Sequence, residues 1–202
     1  KGRWWIPKKA LEEDLRVWHM LINEKPTWRP KSRMRTLGGS VFRADACGSQ
    51  THAGIGGIVS PVPFDPQVFP DLGTFNWFRF GWERGSAPVS LLDIKEPRHM
   101  VAALEGLAIL VALRIFTQQC KSFHVVVPGD TDSMVCSLAT GKWRTRSPVL
   151  GFIFRELSIE CIRRDIFVEA RHIPGESNDV SDALSRCSHQ PSFRWVLGLL
   201  DP

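Results

Sequence analysis

Four carboxylates in this 202-residue sequence stand where apolar residues are expected. Asp45 ends a strand-like run in Phe42-Arg-Ala-Asp-Ala-Cys-Gly48, and Asp130 follows the β-branched run Val125-Val-Val127 through Pro128-Gly129. Glu105 is the single charged residue between Met100 and Leu113, and Asp182 lies between Val180 and Ala183-Leu184. An acid in such a setting must be neutralised, paired or bound to a cation, because desolvating it alone costs several kcal/mol. Four of them drawn together repel one another, and divalent cations are the usual remedy. All-oxygen ligands without His or Cys suit Mg2+ or Mn2+ better than zinc. Two such ions about 4 Å apart are the standard apparatus for phosphodiester cleavage.

Each acid also has a plain structural use. Asp45 is suited to cap a turn before Gly48, Asp130 to open a turn after Gly129, and Asp182 to a helix surface. Glu105 has Arg98 and Arg114 as possible partners. Spacing alone therefore leaves a metal nuclease as one reading among these.

The elements that must position the acids follow from periodicity. From Pro7 to about Glu24, Leu11, Leu15, Trp18 and Ile22 make a helical stripe, with Glu12, Glu13 and Asp14 near its start. Pro26, Pro30 and a basic linker follow, so 1–38 reads as a helical tether and 39–202 as the main domain. Val41–Ala46, Ile55–Ser60 and Phe75–Phe80 are strand candidates in an antiparallel meander, with a proline-rich loop over 61–70. A helix is predicted over Pro97–Phe116, a buried strand over Phe123–Val127 and a brief helix over Ser133–Leu138. Helix Val149–Arg163, strand Ile166–Ala170 and helix Asn178–Arg186 complete the order. Three strands, then helix–strand–helix–strand–helix, implies an α/β fold: a mixed sheet with helices packed against it.

Bulk composition narrows the partners. The net charge is +5, which mildly favours a polyanion. Cations gather beside tryptophan in Trp28–Arg35 and in Lys142-Trp-Arg-Thr-Arg146, an arrangement that can hold phosphates and pack on sugars or bases. Either cluster is equally suited to a solvated loop. Five cysteines without a C-x-x-C pair argue for reduced thiols in an intracellular, reducing compartment, cytoplasm or nucleus. The absence of tyrosine excludes a tyrosine nucleophile within this sequence. No apolar run reads as long enough to span a bilayer, and no membrane partner is expected. The first residue is Lys1, consistent with a piece of a longer polyprotein.

His172-Ile-Pro-Gly-Glu-Ser-Asn-Asp-Val-Ser-Asp-Ala-Leu-Ser-Arg186 resembles the terminal motif of retroelement ribonuclease H domains. In that family a loop histidine precedes the last catalytic aspartate by ten positions, and 182 − 172 = 10 selects Asp182 over Asp179. Glu105-Gly-Leu-Ala-Ile-Leu-Val-Ala-Leu113 is similar to the family helix that begins with the catalytic glutamate. Asp45-Ala-Cys-Gly48 with Gly54-Ile-Gly-Gly57 resembles the first-strand aspartate and the glycine-bearing second strand. Val125-Val-Val-Pro-Gly-Asp130 is similar to the strand end that delivers the third acid. Asp132 competes for that place, since the family often follows this acid with Ser and Asp132-Ser133 offers the pairing, but strand-end position favours Asp130.

The resemblance implies a five-stranded mixed sheet flanked by helices, and a two-metal endonuclease that cuts the RNA strand of RNA–DNA hybrids. Asp45 would bridge two Mg2+ ions (Mn2+ as substitute), Asp182 would help hold one, and Glu105 and Asp130 the other. His172 would assist proton transfer or product release. Lys142, Trp143, Arg144 and Arg146 would hold the hybrid, with Arg33 and Arg35 as further candidates. The tether, with Asp14-Leu-Arg-Val-Trp-His19, is similar to the segment that joins polymerase and ribonuclease H domains in DIRS-type and related long-terminal-repeat retroelements. A reverse transcriptase polymerase domain is then the expected partner. The stretch 61–99 is longer and richer in proline than the family usually shows, and the basic helical handle of some members is missing. Two other readings fit the same residues: a non-catalytic scaffold that keeps the fold, and a sister nuclease acting on DNA.

Overall fold

The computed structural model describes residues 8–24, 34–64, 76–83, 86, 97–119, 124–142, 145 and 147–200. Six strands form one mixed sheet: β1 (Arg35–Thr36), β2 (Ser40–Gly48), β3 (His52–Phe64), β4 (Asn76–Glu83), β5 (Val125–Thr131) and β6 (Ile166–His172). Among the described residues six helices accompany it: α1 (Lys8–Glu24), α2 (Pro97–Gln119), α3 (Met134–Lys142), α4 (Pro148–Arg164), α5 (Asp179–Arg186) and α6 (Trp195–Leu200). β2, β3 and β4 make the antiparallel meander, while β5 runs parallel to β2 on one side and to β6 on the other. The expected order of strands and helices is met. The two-residue β1, which pairs with β5 beside β2, adds a sixth strand to the expected five.

α2 is the core helix. Leu104, Ala108, Ala112 and Leu113 are fully buried, against β2 and β3 on one side and α4 on the other. The expectation that no apolar run reaches bilayer-spanning length is corrected here, because Met100–Gln118 has the length and a mean hydropathy of 2.0. Most of that stretch is buried within the domain, which accounts for its composition. α4 begins at Pro148 behind Ser147, whose hydroxyl accepts from the Leu150 amide at 3.3 Å, and ends at Asp165 in the left-handed region (φ 50°). α1 has the expected helical extent, but Leu15, Trp18 and Ile22 stay exposed. Its Arg16 makes an ion pair with Glu156 of α4 at 3.1 Å.

Two departures bear on the acids. β5 does not stop at Val127 but continues through Pro128-Gly129 to Thr131. Proline in a central strand is unusual, and Pro-Gly normally reads as a turn. Here Gly129 makes room for a ring: a Cβ there would lie 2.0 Å from Phe42 Cζ across the β2–β5 pairing. β6 likewise runs on to His172, opposite Thr131, so the expected loop histidine ends a strand. The proline-rich stretch contributes residues 61–64 to β3, and 65–70 lie outside the described residues.

Candidate active site

The β2–β5 pairing ends at Arg43 opposite Asp130. Two residues further on stand Asp45, still within β2, and Asp132, just past the end of β5, at the place where the two strands part. Glu105 reaches the same place from α2. One carboxylate oxygen from each of Asp45, Glu105 and Asp132 lies within 4.8 Å of the other two. Asp45 is 2% exposed and Glu105 5%, and Thr131 Oγ1 donates to Glu105 Oε2 at 3.4 Å.

The structure brings Asp132, rather than the preferred Asp130, together with Asp45 and Glu105. Asp130 is buried inside the ladder, 3.5 Å from Arg43 Nε and 3.2 Å from an Arg171 amino nitrogen, so cations already take up its carboxylate. Strand-end position favoured Asp130 only while β5 was expected to end at Val127. With the strand running to Thr131, the end position belongs to Asp132. The Asp132-Ser133 pairing was the sequence signal for it.

Asp182, in the first turn of α5, is half-buried, and its Oδ1 accepts from Arg186 Nε at 2.6 Å. It stands outside the three-acid group but near enough to Asp45 for its charge to raise the pKa there. His172 is exposed at the end of β6, in register with Thr131 and one residue from the position of Asp132. Lys142 and Arg35 are exposed. Trp143, Arg144, Arg146 and Arg33 lie outside the described residues.

The electrostatics of the cluster are those of acids awaiting a counter-charge. Burial pushes the Asp45 carboxyl far above the usual carboxylate range, and the charges of Glu105 and Asp132 push it further. Glu105 is raised in the same way, by burial first and then by Asp132. Asp45 Oδ2 and Asp132 Oδ1 are buried without a hydrogen-bond partner among the described residues. Three carboxylates gathered this closely, two of them with an oxygen unsatisfied among the described residues, fit a divalent cation, and an oxygen-only donor set fits a hard one.

A pH dependence follows. A carboxyl whose folded pKa is raised favours the folded state while protonated. That contribution is complete below the unfolded value of about 4 and is lost as pH rises through the folded value. Calorimetry in EDTA is therefore expected to show the Asp45–Glu105 contribution falling between pH 5 and pH 8, with Mg2+ narrowing the difference. Equal melting of the wild type and of Asp45→Asn at every pH in EDTA would contradict this.

No protein-family model matches the sequence, and no curated protein does. Among solved structures, the chain is similar to LC11-RNase H1, isolated from compost by a metagenomic approach. The match has 16% identity and a TM-score of 0.53, over 77% of this chain and 99% of that one. It is also similar to the N-terminal RNase H domain of Rv2228c from Mycobacterium tuberculosis, with 12% identity and a TM-score of 0.50, over 78% of this chain and 96% of that one. These likenesses show the fold: a mixed sheet flanked by helices, of the ribonuclease H-like kind.

Proposed function

We propose that this chain is a metal-dependent endonuclease that hydrolyses the RNA strand of RNA–DNA hybrids. The observation that carries the reading is the Asp45–Glu105–Asp132 group, with Asp45 and Glu105 buried and Asp132 partly so, at the parting of β2 and β5; among the described residues one oxygen on each aspartate has no hydrogen-bond partner. Asp45, Glu105, Asp132 and Asp182 would hold two divalent cations, Mg2+ or Mn2+. Bound there, the cations supply Lewis acidity, making water a nucleophile at neutral pH and taking up charge on the leaving 3′ oxygen. The protein's own part is positional. The Thr131 hydroxyl orients Glu105, and burial of Asp45 keeps competing water from its carboxylate. His172 is exposed beside this rim and suited to carry a proton to or from solvent.

Choice of the RNA strand would come from reading 2′-hydroxyls in the minor groove while cations hold the DNA backbone. Lys142, at the C-terminus of α3, and Arg35 are exposed for that role, and Trp143, Arg144, Arg146 and Arg33 are its further candidates. The His172–Arg186 motif and the 1–38 tether support a setting in reverse transcription, beside a polymerase domain of a DIRS-type or related long-terminal-repeat element, inside the cell.

The deciding experiment offers labelled RNA–DNA hybrid, duplex DNA and duplex RNA in Mg2+ and in EDTA. The expected result is cleavage of the hybrid RNA alone, in Mg2+ alone. Asp132→Asn is expected to cost at least about 100-fold in rate, by analogy with losing one electrostatic contact to the transition state. Preferential cutting of duplex DNA, or full activity in EDTA, would overturn the reading.

A further inference from the structure

Asp130 is 6% exposed and lies two residues before Asp132, yet its surroundings serve a different purpose. Its Oδ2 lies 3.5 Å from Arg43 Nε, and its Oδ1 3.2 Å from a terminal nitrogen of Arg171, the residue before His172. Arg43 is itself 9% exposed. From the other end of its guanidinium, Nη1 donates to the Ser177 carbonyl at 2.7 Å. Ser177 closes the 3-10 turn Gly175–Ser177 that leads into α5. The next residue, Asn178, is 1% exposed; its Nδ2 donates to the Ala44 carbonyl at 3.1 Å. Its own carbonyl accepts from the Asp182 amide at 2.9 Å. A continuous path thus runs from Asp130 through Arg43, Ser177 and Asn178 to the backbone of Asp182.

We propose that Asp130 is a positioning residue: through Arg43 it seats the turn before α5 and so sets Asp182 beside the three-acid group. A guanidinium presents five donors in a fixed fork, so one arginine can hold a carboxylate and a carbonyl at once. An apolar pair would fill the same space and fix no carbonyl. The importance of Asp182 rests on the nuclease reading above, whereas the clasp itself does not.

Amide exchange on the metal-free protein tests the clasp, together with Mg2+ titrations. The variants are Asp130→Asn and the double variant Arg43→Met with Asp130→Leu, which removes both charges and leaves neither buried alone. In the double variant the amides of Asp182–Ser185 are expected to exchange faster, on the order of tenfold, while those of β5 keep their protection. The Mg2+ concentration that half-saturates hybrid cleavage is expected to rise roughly 10- to 100-fold with kcat little changed, as for residues that orient a metal ligand. Unchanged α5 exchange in the double variant overturns the proposal. So does loss of calorimetric Mg2+ binding in Asp130→Asn as complete as in Asp132→Asn, which would make Asp130 a ligand. Should the wild type cut no hybrid, the nuclease reading fails and the exchange arm still decides the clasp.

Discussion

Asp45→Asn is expected to lower Mg2+-dependent cleavage of an RNA–DNA hybrid by at least about 1,000-fold, equivalent to roughly 4 kcal/mol of transition-state stabilisation. The magnitude follows from where Asp45 stands. It is 2% exposed, it shares the three-acid group, and its Oδ2 has no hydrogen-bond partner among the described residues. An amide keeps the shape of the side chain but removes the negative charge and turns one oxygen into a donor aimed at neighbouring carboxylates. Cation binding at the cluster should weaken with it, which calorimetry reads directly. The same change relieves repulsion in the metal-free protein, so in EDTA near pH 8 the variant should melt no lower than the wild type. High stability with lost cleavage separates this outcome from misfolding. Wild-type cutting by Asp45→Asn would remove the proposed function.

Most of the scaffold was legible because its signals were local and periodic. α2 announced itself by apolar spacing behind Pro97, and the meander by short strand-like segments close in sequence, the first two joined through glycines. Asp45 and Glu105 were legible as charges among residues built for burial, and the structure places both in the cluster. The third member of the cluster, Asp132, was harder to read, because its place depends on a strand boundary. Pro128-Gly129 normally breaks a strand, and only the Phe42 ring packed against Gly129 shows why glycine belongs in the middle of this one. Arg43 gave no signal of its role: its partners Asp130 and Ser177 are distant in sequence, and nothing periodic links them. The helix α6, short and at the end of the described residues, was not anticipated either.

The glycines of β3 carry the second large expectation. α5 lies so close over β3 that a Cβ on Gly56 would stand 2.3 Å from the Ser185 amide nitrogen and 2.6 Å from the Leu184 carbonyl carbon. A Cβ on Gly54 would stand 2.1 Å from the Ser185 carbonyl oxygen. These are backbone atoms of a helix whose Leu184 and Ser185 are fully buried, so no side chain can swing aside. Gly56→Ala must instead lift α5 off the sheet. The expected loss is about 3 kcal/mol, the upper end for overpacking, or roughly 6–12 °C in melting temperature for a domain of this size. Because α5 carries Asp182, the lifted helix should also raise the Mg2+ requirement for cleavage. Gly141→Ala in α3 is the control: its Cβ would meet nothing within 4 Å, and alanine favours a helix by about 1 kcal/mol. Calorimetry should therefore show Gly56→Ala melting well below the wild type, and Gly141→Ala at or above it. Equal melting of the two variants would mean that α5 does not seat on β3 as described, and would remove the path by which Asp182 reaches the cluster.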